Sequence, residues 1–173
     1  MLKRNTFYLA LVGSIFFLSQ SQVKAAEKVI LKYRFLRESV SVTELTTFAE
    51  TGELSSSLNS YLGMANKEPD DLERALAKEV KVNGILLSRI LNTKPGELIL
   101  DQVSEVVHTP SQRASRQSLR SALVKSALPD GNITLLEVLQ NYPTEEVIVE
   151  GERLVEVLAK IEKLTGLIPN LSF

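Results

Sequence analysis

Apolar positions along the chain recur mostly at helical spacing, with two short exceptions. Lys28 to Arg34 (KVILKYR) has β-branched and aromatic residues near its centre and no helix cap, which predicts a strand. Helical punctuation follows. Ser41-x-x-Glu44 fits a capping box and Gly52 offers a left-handed stop, bracketing a helix of about three turns. Leu54, Leu58, Leu62 and Ala65 share one helix face. Pro69 suits a first helical position, with Asp70 and Asp71 at the positive end of the dipole and Leu72, Ala75, Leu76 and Val80 as the next buried stripe. Ile85 to Leu91 is almost wholly apolar and is expected to sit centrally.

Further on, Pro95 opens a helix that should bury Ile99, Val103, Val106 and Val107. Thr109-Pro110-Ser111-Gln112 combines an N-cap hydroxyl, a proline and a Gln able to close the box, so the longest helix is expected to run from there through Leu128. Pro129-Asp130-Gly131 predicts a turn, Thr134-x-x-Glu137 opens another helix and Pro143 ends it. Val147 to Val149 is a second strand, and Leu154, Leu158, Ile161 and Leu164 form a last helical stripe. The expected architecture is mainly α: a bundle of about seven short helices, with strands near 28–34 and 147–150 clasping the ends. An isolated strand leaves unpaired backbone groups, so Val29 to Tyr33 should pair with Val147 to Val149. One domain is expected over residues 27–164, followed by a loose tail at 165–173.

Composition mainly excludes. With no cysteine in 173 residues there is no disulfide, thiolate zinc site, iron–sulfur cluster or cysteine nucleophile, and one histidine excludes a multi-histidine metal centre. A formal charge of −1 without long like-charge runs argues against a nucleic-acid binder. No metal and no cofactor is expected.

Residues 1–25 read as a signal peptide. Lys3 and Arg4 precede an apolar run from Phe7 to Leu18, and Val23-Lys24-Ala25 supplies the small residues of a cleavage site. The run is 12 residues long, against about 20 for a spanning helix. Removing Lys3, Arg4 and Lys24 from 20 basic residues leaves 17 against 21 acidic ones, a mature charge of −4. The expected destination is the periplasm, thylakoid lumen or extracellular space, with no stable membrane anchor after cleavage.

Candidate chemistry is sparse. No G-x-S-x-G occurs, and the eight glycines are dispersed, so neither a serine elbow nor a phosphate-cradling loop is present. His108, between an apolar stripe and Thr109-Pro110, reads as a helix C-terminal residue bonding the last carbonyls, with catalysis the rival role. Asp130 to Glu137 matches the second half of an EF-hand loop. Ser126 and Leu128 stand where acidic ligands belong, however, and Glu137 has a capping role with Thr134. No catalytic, metal or cofactor residue is therefore assigned. Arg113, Arg116 and Arg120 recur at three- and four-residue spacing and are the candidate partner-binding residues, against the plainer reading of a solvated helix face.

Three stretches carry a resemblance: Ser39 to Glu53 (SVSVTELTTFAETGE), His108 to Ala127 (HTPSQRASRQSLRSALVKSA) and Asp130 to Pro143 (DGNITLLEVLQNYP). Together they resemble an uncharacterised cyanobacterial domain found, after a signal peptide, at the N-terminus of exported α/β hydrolases. The resemblance runs from Glu27 to Arg153 and implies an extracytoplasmic accessory module. In the longer relatives a catalytic domain follows, whereas only about twenty residues remain here after Arg153, and no catalytic residue is carried over. The leading expectation is thus a non-catalytic module that docks on a partner such as a hydrolase domain. One alternative is a small-ligand or lipid carrier with a cavity between Leu54–Ala65 and Ile85–Leu91; another is a hydrolase using His108 or scattered carboxylates.

Overall fold

The computed structural model describes residues 25–154 and 156–157. The expected leader, apart from Ala25, and the tail at 165–173 lie outside the described residues, as do Leu158, Ile161 and Leu164. The chain opens with β1 (Lys28–Tyr33) and β2 (Leu36–Ser41), then α1 (Val42–Thr51), α2 (Ser56–Ala65) and α3 (Pro69–Ala77). A two-residue β3 (Val80–Lys81) leads into α4 (Gly84–Leu91) and α5 (Lys94–Val103). There follow β4 (Val107–His108), α6 (Ser115–Ala127), β5 (Asn132–Ile133), α7 (Leu135–Gln140) and β6 (Glu146–Glu150), with residues 151–154 and 156–157 helical after it.

The mainly α bundle is overturned by the strands. Four of them form one mixed sheet in the order β2-β1-β6-β4, and β3 pairs with β5 in a second, so the fold is mixed α and β. The pairing of β1 with β6 is present and parallel, with Val29 opposite Val147 and Leu31 opposite Val149. It is the middle of a sheet rather than a clasp standing alone. β2 joins β1 as an antiparallel hairpin, and β4 joins the far side of β6 with His108 opposite Ile148. The sequence of β6 explains its central place: Val147, Ile148 and Val149 are all buried, as befits a strand covered on both faces. At the edge, β2 (LRESVS) buries only Val40 and displays charge, which discourages further pairing.

The punctuation residues act largely as their chemistry dictates. The Ser41 hydroxyl accepts from the Glu44 N–H at 3.0 Å, and Gly52 ends α1 at φ 73°. At α7 the box is complete, since Thr134 Oγ1 accepts from Glu137 N–H and the Glu137 carboxylate accepts from Thr134 N–H. The loop before α6 departs from expectation. Thr109 does not cap a helix there; its hydroxyl donates to the Arg113 carbonyl at 2.9 Å, Gln112 and Ala114 adopt positive φ, and the helix starts at Ser115.

Helix α6 is the hub of the fold. It packs against α4, α5, α7 and β4, and its buried side includes the small residues Ser115, Ser118, Ala122, Ser126 and Ala127 beside Leu119. Small side chains let neighbouring backbones approach closely. Two apolar stripes fall differently from the periodic reading. Val80 lies in β3 rather than on α3, Val106 and Val107 are buried beyond the end of α5, and Ile99 faces outward while Leu100 takes the core position.

Candidate functional site

His108 is held by the sheet. It lies on β4 and is only 4% exposed, so it does not cap a helix as its neighbours in sequence implied. Its Nδ1 is 2.9 Å from the Thr109 carbonyl oxygen and its Nε2 is 3.4 Å from Oε1 of Glu150 on β6. The same Glu150 oxygen accepts from Lys32 Nζ at 2.9 Å, so three strands contribute one side chain each. Burial pushes the Glu150 carboxyl up, but the hydrogen bonds and charges of Lys32 and His108 outweigh it and hold the group below its ordinary value. Nearby, burial first, then Glu38, Glu150 and Tyr33, pushes the Tyr61 phenol up to about 12.

A general base needs a ring nitrogen lone pair aimed at the proton it removes. Both nitrogens of His108 face oxygen acceptors instead. The hydroxyls of Thr109 and Ser115 bond each other at 3.2 Å, and Ser115 Oγ also accepts from the Thr109 N–H. This constellation ties β4, β6 and the start of α6 together, and it presents no activated nucleophile.

The three arginines part company. Arg113 lies in the turn before α6, exposed, so the stripe loses its first member. Arg116 grips Asp101 of α5 with two bonds of 2.6 Å, and Arg120 Nε donates to the Leu91 carbonyl at 3.0 Å, closing the C-terminus of α4. Two of the candidate partner-binding side chains therefore also stitch α6 to its neighbours.

What the helical spacing did not reveal is the outer surface of α4, α5 and α6. Helix α4, expected at the centre, buries only Gly84 and Leu91. Of the seven large apolar side chains that stand exposed among the described residues, five are on these helices or the α6 cap: Ile85 (61%), Ile90, Leu98 (65%), Ile99 and Leu128 (59%). Of these, Leu128 lines an open groove of about 460 Å³ along α6, floored by Val124 and Leu128, with Gln117, Ser121 and Lys125 of α6 and Ser88 of α4 around it. Arg120 completes the lining. In contrast, α2 packs against β2 whereas α4 packs against α5 and α6, so the two helices expected to enclose a ligand cavity have different neighbours.

A family model described as "Alpha/beta hydrolase of unknown function (DUF1400)" matches residues 25–150. The chain belongs to the DUF1400 family. No curated protein matches it and no solved structure matches it. The matched DUF1400 region spans the whole mixed sheet and all seven bounded helices. Its sheet differs from the mostly parallel one that carries a serine elbow, since only the β1–β6 pairing is parallel. Two features of this DUF1400 fold escaped sequence reading. Glu150 meets His108 and Lys32 only through strand pairing, and the apolar α4 run gave no sign that it would face outward.

Proposed function

We propose that this DUF1400 chain is an exported accessory module that acts by docking on an α/β-hydrolase domain, using the outer surface of α4, α5 and α6. One observation carries the reading: among the described residues, most of the large apolar side chains left in water are gathered on these three mutually packed helices and the α6 cap. Scattered exposed leucines need no explanation, but their concentration marks interaction surfaces. The hydrolase is favoured as partner because the family description names that chemistry while the chain has no G-x-S-x-G and engages both nitrogens of its histidine. Export is supported by the leader-like order of charge, apolar run and small residues, and by Ala26, directly after the expected cleavage point, being buried in the core.

The test mixes the purified chain with a separately purified exported α/β-hydrolase domain from the same genome and follows complex formation by sedimentation velocity. A one-to-one complex is expected, weakened by at least about tenfold in an Ile85→Asp, Leu98→Asp variant that folds normally. Ester hydrolysis by the chain alone, abolished by His108→Ala, would overturn the reading, as would failure to associate at high concentration.

A further inference from the structure

The groove beside α6 has a chemistry of its own. Gln117, Ser121, Val124 and Leu128 follow one another at four-, three- and four-residue steps, so they form a single stripe along the helix, with Lys125 and Arg120 beside it. The floor is apolar, and the polar atoms are hydroxyl and amide groups from Ser88, Ser121 and Gln117. Both charged residues in the lining are cations, and no carboxylate lines it. Arg120 donates its Nε to the Leu91 carbonyl and, after Lys94 and Arg116, its charge helps hold the Glu97 carboxyl low, whereas Lys125 is exposed and is the cation best placed to meet an incoming acceptor. Small side chains at Ser88 and Ser121 leave room for a backbone to come close.

We infer that this groove receives an amphipathic helix whose apolar ridge is flanked by acidic residues. The inference rests on the docking reading and specifies the element of the partner that enters. The open groove runs along α6 with Ser88 of α4 beside it, and its apolar floor takes a ridge of side chains, which a flat bilayer does not supply. A second copy docked groove against groove would bring the Lys125 and Arg120 cations of both copies together, which is repulsive. Leucines spaced along one face of a helix fill the Val124–Leu128 floor, and glutamates next to them reach Lys125 and Arg120. The Gly84 backbone packs against Ala127 and Leu128, so a Cβ there would stand 3.0 Å from the Ala127 carbonyl oxygen and 3.2 Å from the Leu128 nitrogen.

The probe is a fluorescein-labelled helical peptide with leucines at three- and four-residue spacing and glutamates beside them, compared with the same peptide carrying lysines instead. Fluorescence anisotropy should show the glutamate peptide binding the intact chain at least about tenfold more tightly, with the preference shrinking as salt is added. Ser121→Trp, which fills the groove, should abolish binding, and Lys125→Glu should shift the preference toward the lysine peptide. Equal binding of both peptides, no binding, or an unchanged preference in Lys125→Glu would overturn the inference. So would binding of phosphatidylglycerol vesicles that Leu128→Asp removes, or a dimer of the chain alone that Ser121→Trp removes. If the hydrolase domain still binds the Ser121→Trp chain but not the Ile85→Asp, Leu98→Asp chain, the groove assignment fails and the docking reading stands. If the glutamate peptide binds the groove and the hydrolase domain does not associate, the docking reading fails alone.

Discussion

Nε2 of His108 lies 3.4 Å from Oε1 of Glu150, joining the edge strand β4 to the central strand β6 by their side chains as well as their backbones. Lys32 of β1 holds the same oxygen from the other side, and the Glu150 N–H donates to the Val106 carbonyl at 2.8 Å. One carboxylate thereby binds three strands.

That arrangement fixes the sign of a pH effect. Burial disfavours the Glu150 charge, but Lys32 and His108 favour it more, so its folded value lies below the ordinary 4.5. A carboxylate lowered on folding adds stability above its unfolded value, and that stability is lost as pH falls through the folded value. Urea unfolding of the wild-type chain and Glu150→Gln between about pH 6 and pH 3 should show the wild-type advantage shrinking below 4.5. A difference that does not change over this range would show that the cluster adds nothing to folding.

Gly96 sits where α5 starts against the end of α4. A Cβ at this position would fall 2.1 Å from the Ile90 carbonyl oxygen and 2.7 Å from the Leu91 Cα, both backbone atoms that cannot swing aside. Gly96→Ala should therefore destabilise by about 3 kcal/mol. Gly63, in α2, meets nothing within 4 Å, so Gly63→Ala should stabilise by about 0.5 to 1 kcal/mol through helix propensity. Denaturant midpoints of the two variants should move in opposite directions.

The buried hydroxyl of Tyr142 has no hydrogen-bond partner among the described residues, and burial holds the phenol strongly in its neutral form. The ring itself is fully enclosed in the core. Removing only the oxygen relieves an unmade hydrogen bond, whereas removing the ring opens a cavity. Tyr142→Phe should be neutral or stabilising by about 1 kcal/mol, and Tyr142→Ala should cost about 3 to 5 kcal/mol. A loss of more than about 2 kcal/mol in the phenylalanine variant would mean that the hydroxyl has a partner in solution.

Local chemistry was legible in the sequence wherever a few neighbouring residues settle the structure. Ser41 and Gly52 bracket α1, Thr134 and Glu137 close their capping box, and the β-branched cores of β1 and β6 give strands that pair as expected. Illegible were the elements that exist only because something distant pairs with them. β4 is two residues whose apolar spacing matches a helix, and it becomes a strand by meeting Ile148 and Val149. β2 has charged residues between its apolar ones and is defined by the hairpin with β1. Thr109 carries the right hydroxyl for an N-cap, yet a nearby carbonyl and the Ser115 hydroxyl take it. The candidate site was least visible, because apolar content says that α4 avoids water and not whether its own fold or another molecule covers it.

The exposed apolar surface gives a last prediction, one that separates docking from folding. Ile85 and Leu98 are 61% and 65% exposed, so replacing either by aspartate removes little buried area and introduces no buried charge. Their hydrophobic contribution to the isolated domain is correspondingly small, and each substitution should change stability by no more than about 0.5 kcal/mol. The same substitutions place charge in the middle of a surface proposed to be covered, where leaving it unpaired would cost an interface several kcal/mol. In sedimentation velocity the double variant should therefore lose its association with the hydrolase domain, with an unchanged thermal midpoint. If the midpoint falls by more than about 5 °C, the side chains belong to the core of the domain and cannot serve as a free docking surface.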